Sequence, residues 1–137
     1  MREVSLAYIY LNMKTIINTK NAPSPIGPYS QAVLMGNMLF ISGQVAIVPE
    51  SGKPLLDDIQ SETHQVMKNI TAILKEAGMD MSNVIKASIF LMDMGQFKLV
   101  NEAYGTYFKS DFPARETIQV SKLPLNVNVE ISMIAVK

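Results

Sequence analysis

Towards the C-terminus, Val127, Val129, Ile131, Met133 and Ala135 recur at every second position, with Glu130 and Ser132 between them. A period of two sends successive side chains to opposite faces of a strand. This stretch therefore predicts a half-buried strand with Glu130 and Ser132 on the face away from the apolar set. Just upstream, Phe112 to Val120 predicts another strand, with Arg115, Thr117 and Gln119 on one side of it. Leu123-Pro124 marks a short turn, so the two strands are predicted to lie side by side. On that reading a guanidinium, a hydroxyl and a carboxylate share neighbouring strands.

The same patterning orders the rest of the chain. Lys14 to Ile17 predicts a short first strand. Asn21 to Pro28 holds three prolines and a glycine, which fix backbone angles without joining a ladder, and predicts a stiffened loop. Gln31 to Met35 and Met38 to Ile41 flank Gly36-Asn37, a two-residue turn that matches the twist of a hairpin. Pro49 to Pro54 reads as a surface loop. Asp57-Asp58-Ile59-Gln60 opens a long helix, with an aspartate N-cap and Gln60 at capping-box spacing from Asp57. Its apolar face runs through Ile59, Val66, Met67, Ile70, Ile73, Leu74 and Ala77, and Gly78 ends it. Val84 to Met92 predicts a strand with Ile85, Ala87, Ile89 and Leu91 on one face and Val84, Lys86, Ser88, Phe90 and Met92 on the other. Phe97, Val100, Tyr104 and Phe108 recur at helical spacing and predict a second amphipathic helix.

This order of elements favours an α+β sandwich with both helices on one face of the sheet. The other face, also partly apolar, needs cover, for which closed cyclic assembly is the commonest solution. A composition of 48% apolar and 18% charged residues points the same way. With 137 residues the chain predicts one domain. Its 12 basic and 12 acidic residues balance, and no lysine or arginine run offers a footprint for a phosphate backbone, so nucleic acid is not an expected partner. The lack of cysteine excludes disulfides, thiolate metal sites and a cysteine nucleophile. His64, the sole histidine, reads as a solvated position on the long helix. With no carboxylates clustered at ligand spacing, no metal is expected. No phosphate loop or dinucleotide fingerprint appears either.

Residues 1–12 contain an apolar run, Leu6 to Leu11, behind Arg2. The run is too short to span a membrane, and no small-residue cleavage site follows it. It is read as an extension ahead of a single domain over residues 13–137: either an upstream start or an extra packing strand. A cytoplasmic setting is expected.

Five motifs recur in a recognisable order between about Met13 and Val136: Ile26-Gly27-Pro28-Tyr29-Ser30-Gln31-Ala32, Ser42-Gly43-Gln44, Val100-Asn101-Glu102-Ala103-Tyr104, Pro113-Ala114-Arg115, and Leu123-Pro124 with Val129-Glu130-Ile131. Together they resemble the RidA (YjgF) family of enamine and imine deaminases. The resemblance implies a chorismate mutase-like two-layer sandwich, with a mixed sheet and two helices on one face. It also implies a homotrimer with sites in the clefts between subunits. The implied reaction is cofactor-free hydrolysis of 2-aminoacrylate, 2-iminobutanoate or 2-iminopropanoate to 2-keto acids and ammonia.

Carried over residue by residue, the resemblance makes Arg115 the anchor of a substrate carboxylate, a task suited to a planar guanidinium fork. Glu130 would position a water and move protons, helped by the raised pKa of a partly desolvated carboxylate; otherwise it pairs with a cation such as Arg115. Tyr29 lines the cleft or packs an interface. Gly43 lets backbone groups approach the ligand, or marks a strand-end bulge. Asn101 clamps a loop or touches substrate, since a buried amide must find partners. Thr117 stands where relatives often carry cysteine, so a backbone contact is the role expected there. Ser132 stands where they often carry a second glutamate, which disfavours a mechanism needing two carboxylates. The alternative function is a non-catalytic trimeric module binding small 2-keto acids or related carboxylates. Arg115 suits both readings, and Glu130 favours the enzyme. The ribonuclease label of some relatives is disfavoured by the lack of a basic stripe.

Overall fold

The computed structural model describes residues 3–137; Met1 and Arg2 of the N-terminal stretch lie outside the described residues. The elements are α1 (Leu6–Leu11), β1 (Lys14–Ile17), β2 (Ala32–Met35), β3 (Met38–Gln44), β4 (Ile47–Val48), β5 (Lys53–Pro54), α2 (Ile59–Glu76), β6 (Val84–Leu91), α3 (Phe97–Gly105), β7 (Ala114–Gln119) and β8 (Val129–Val136). Leu6–Leu11 is thus helical rather than an extra strand, with Leu6 and Tyr8 exposed. No described helix is long and apolar enough to cross a membrane.

Six strands form one mixed sheet in the order β1-β2-β3-β8-β6-β7, antiparallel except for the parallel pair β6–β7. The hairpin forms at the predicted place, and Gly36 takes the positive φ of 61° that such a turn requires. The two closing strands are not neighbours, however. β8 inserts between β3 and β6, leaving β7 as the outer strand. β8 buries every second residue along its length and so belongs at the centre, whereas β7 is exposed or half-buried throughout. The connection between them arches over the end of β6, where Leu91 accepts from Val120 N and Met92 donates to Asn128 O.

The core lies between this sheet and α2. Val66, Met67, Ile70, Ile73 and Leu74 are fully buried against Ile131, Met133, Ile89 and Leu39, and trimming any one of these large side chains to alanine costs about 2–5 kcal/mol. The cap differs in detail from the predicted box. Asp58, not Asp57, is the N-cap, accepting from Ser61 N at 2.8 Å. Gln60 turns away to donate to Glu102 on α3. At the other end Gly78, at φ 72°, closes a Schellman motif: Met79 N donates to Leu74 O and Gly78 N to Lys75 O, both at 2.9 Å.

Two predicted faces are also adjusted. The β6–β8 ladder slips between Val84 and Lys86. Val84 is therefore buried and Ile85 exposed, the reverse of strict alternation, while Ala87, Ile89 and Leu91 face the core as predicted. In α3, Val100 and Tyr104 are buried and Phe97 is part-exposed; Phe108 lies beyond the helix end and packs on the core.

The helix-free face of the sheet exposes Ile16, Phe40 and Ile118 at 44–50% of their surface. Across it Glu116 accepts from Ser88 Oγ at 2.5 Å and pairs with Lys86 at 2.9 Å. The Ser88 hydroxyl first, then Lys86, lowers the Glu116 pKa from 4.5 to about 2. A depressed carboxylate stabilises the fold above its unfolded pKa and loses that contribution as pH falls through its folded value. Stability should therefore decline from pH 4.5 towards 2, and the slope should be shallower in Glu116→Gln. Equal slopes in chemical denaturation series would contradict this assignment.

Candidate functional site

Arg115 lies opposite Ala87 in the β6–β7 register, and Ala87 lies opposite Met133. Partners in register share a face, so Arg115 points to the helix side of the sheet, and Thr117, two residues on, does likewise. There the guanidinium sits 5.0 Å above the Tyr104 ring and 5.7 Å from that of Phe97, both on α3. Stacking on two rings orients the planar fork and leaves its N–H edge free to bond. A cleft of 310 Å³ opens beside it, lined by Asn101, Tyr104, Gly105, Phe112, Pro113 and Arg115.

Three side-chain atoms at this edge are buried without a hydrogen-bond partner: Asn101 Oδ1, Tyr104 OH and Thr117 Oγ1. Such an atom costs about 1–3 kcal/mol if left unpaired. Asn101 and Tyr104 line the cleft with Arg115, and Thr117 lies two residues along β7 on the same face; unpaired buried atoms of this kind call for an explanation. Asn101 does not clamp a loop through its oxygen. Burial pushes the Tyr104 phenol pKa up, and the Arg115 charge opposes that shift.

Glu130 lies on the opposite face, in a row with Phe90 and Ile118. Its carboxyl rests against Gly43, where a Cβ would come within 2.8 Å of the Glu130 Cδ. The β3–β8 ladder slips between Ile41 and Gln44. Gly43 therefore stands at an irregularity of the strand and also admits a close approach, by Glu130 itself. The stiff loop above is held by Gln31, which is 2% exposed. Its Nε2 donates to Thr19 O and Pro23 O at 3.0 Å, and its Oε1 accepts from Thr19 N at 2.8 Å. Ser42 Oγ secures the other side, donating to Ser30 O at 2.6 Å. Tyr29 extends from this loop, half-exposed, its hydroxyl accepting from Ile26 N. Tyr29, Gly43 and Glu130 border a cavity of 170 Å³. Burial holds the Glu130 carboxyl above its ordinary pKa.

The predicted residues thus divide. Asn101, Arg115 and Thr117 gather on the helix side of the β7 edge, and Tyr29, Gly43 and Glu130 gather on the other face. The side-by-side arrangement fails because β6 intervenes, and Arg115 and Glu130 form no ion pair within the chain. His64 is half-buried rather than solvated, with Nδ1 3.0 Å from Tyr107 OH. The described residues contain no cluster of three or more His, Cys, Asp and Glu that could hold a metal. The sequence pattern marks Tyr104 as an apolar helix position that closes the Val100–Tyr104 motif, and its spacing of three from Asn101 is the signal for its hydroxyl.

A sequence model described as Endoribonuclease L-PSP matches residues 19–137. A human protein named 2-iminobutanoate/2-iminopropanoate deaminase is 44% identical over 125 residues, covering 91% of each chain. The chain belongs to the RidA family. A RutC family protein of Pyrococcus horikoshii is 50% identical over 91% of this chain and 99% of its own. A solved structure of Escherichia coli TdcF with bound serine superposes with a TM-score of 0.86 at 37% identity, covering 90% of this chain and 98% of that one. Within this RidA chain, Ser132 pairs in register with Ser88, which in turn pairs with Glu116. The carboxylate on that row therefore comes from β7.

Gly43→Ala is expected to fold but to swing the Glu130 carboxyl out of its cavity into water. Glu130 should then titrate nearer the ordinary glutamate value, as followed by carboxyl carbon NMR. A titration unchanged from the parent would show that Gly43 does not set its position.

Proposed function

We propose that this protein is a cytoplasmic homotrimeric hydrolase that deaminates small 2-imino acids and their enamine tautomers, such as 2-aminoacrylate, to 2-keto acids and ammonia. The cluster of orphaned polar atoms around Arg115 carries the reading. A guanidinium fork stacked on Tyr104, with an unpaired tyrosine hydroxyl in the same cleft, suits a carboxylate, and the bare Asn101 oxygen suits an N–H. The human relative's name as a deaminase and the serine bound to TdcF agree with a small amino-acid-like ligand.

Because Arg115 and Glu130 occupy opposite faces, the proposed site is completed between subunits, with the Arg115 edge of one facing the Tyr29, Gly43 and Glu130 face of its neighbour. The exposed apolar residues of the helix-free face supply surface for that assembly. Arg115 fixes the carboxylate, while backbone groups near Gly43 and Thr117 orient the nitrogen. An enamine first takes a proton at its terminal carbon to become the imine. Water then adds to the imine carbon, giving its proton to Glu130 as the nitrogen is protonated. Glu130 then passes that proton to the amine nitrogen, which makes ammonia the leaving group, and takes the hydroxyl proton in turn as the carbon–nitrogen bond breaks and the carbonyl forms. A raised pKa makes the Glu130 carboxylate a stronger base than an ordinary glutamate. Each proton that Glu130 accepts is returned, and no covalent bond to the protein forms.

The test is release of ammonia and keto acid from 2-aminoacrylate generated by a serine dehydratase. Wild-type protein should accelerate it over spontaneous hydrolysis. Arg115→Ala, losing a charge-assisted anchor, should lower kcat/KM about 100-fold or more while keeping the fold. No acceleration by folded wild-type protein would overturn the enzyme reading in favour of a carboxylate-binding module.

A further inference from the structure

Glu62, in the first turn of α2, is a carboxylate with 0% exposure. Its partners come from far along the chain. Oε2 accepts from Asn128 N at 2.8 Å and from Val129 N at 2.9 Å, and Oε1 accepts from Asn128 Nδ2 at 2.7 Å. These donors belong to the two residues that immediately precede Glu130. The other side of Asn128 is also held, its carbonyl accepting from Met92 N at 3.1 Å. The segment needs such a grip, because Leu125 sits at φ 56°, a left-handed conformation that is costly for leucine, with Asn126 following it at 54°.

Glu130 has no comparable tether. No hydrogen bond among the described residues fixes its carboxyl, and burial is the cause of its raised pKa. Its placement over Gly43 therefore depends on where the main chain at Asn128 and Val129 is set. We propose that Glu62 is a positioning residue for the Glu130 half of the site, clamping the start of β8 to α2 so that the Glu130 carboxyl stays seated in its cavity. The catalytic consequence rests on the deaminase reading; the positioning itself does not.

Glu62→Met keeps the bulk and removes both acceptors. Glu62→Gln is expected to rescue, because its oxygen can take the two backbone N–H groups while the Asn128 amide flips to accept from its nitrogen. The Glu130 carboxyl is followed by carbon NMR across pH, assigned by its loss in Glu130→Gln. Lys86 and Glu116 share that face and pair with each other, so Glu116 serves as an internal control. In folded Glu62→Met the Glu130 titration should move down towards the ordinary glutamate value, and in Glu62→Gln it should return. Deaminase kcat should fall by on the order of tenfold to a hundredfold, with KM within about twofold because the Arg115 half is untouched.

A folded Glu62→Met variant in which Glu130 titrates as in the wild type overturns the proposal, however much stability is lost. If Glu62→Met does not fold, Asn128→Ala, which removes only the Nδ2 bond, decides by the same titration: a smaller shift in the same direction supports the clamp, and no shift overturns it. The titration needs no substrate, so an inactive wild type would sink the deaminase reading and leave this test standing.

Discussion

The pleat of the sheet governs the rest of this molecule. Neighbouring residues on a strand must face opposite ways, and residues paired across strands must face the same way. Arg115 shares a row with Ala87 and Met133, and Glu130 shares one with Phe90 and Ile118. The ladder fixes them on opposite faces, and no rotamer change brings them together. Everything proposed about assembly follows from taking that geometry together with the deaminase reading. If both residues serve one reaction, the reacting molecule must meet two copies of the chain.

Each half is rigid for local reasons. On one side two aromatic rings of α3 orient the Arg115 guanidinium, and Asn101 Oδ1, Tyr104 OH and Thr117 Oγ1 on the same side of the sheet are buried without a partner in the chain. On the other, Gln31 and Ser42 lock the proline loop while a missing side chain at Gly43 makes room for a carboxyl. Burial in the second half is why Glu130 is shifted towards its protonated form. On the proposed reading the two halves separate an anchoring task from a proton-transfer task, with helix α2 bracing the second through Glu62.

Much of this could be read from residue order. The faces of Glu130, Arg115 and Thr117 were legible because a period of two is a local property, and the long helix was legible from its apolar stripe and its glycine stop. Strand order was not. Nothing local in Ser121 to Asn128 says that the chain will step over β6 instead of turning back beside β7. The slip at Val84 was also silent, since no glycine marks it. Glu62 was missed because a glutamate near a helix start looks solvated, and only the fold brings the Asn128 and Val129 N–H groups to it. The Tyr104 hydroxyl was hidden for a similar reason: an aromatic ring at core spacing draws attention to its apolar body.

The most direct test of a shared site is complementation between two inactive chains. Arg115→Ala and Glu130→Gln proteins, each folded and inactive alone, are refolded together in equal amounts so that subunits of the proposed trimer mix. If each site takes Arg115 from one subunit and Glu130 from its neighbour, random assembly makes about one site in four intact, and deaminase activity should return to about a quarter of wild type. Activity in the mixture no greater than the sum of the two variants would contradict a site shared between subunits.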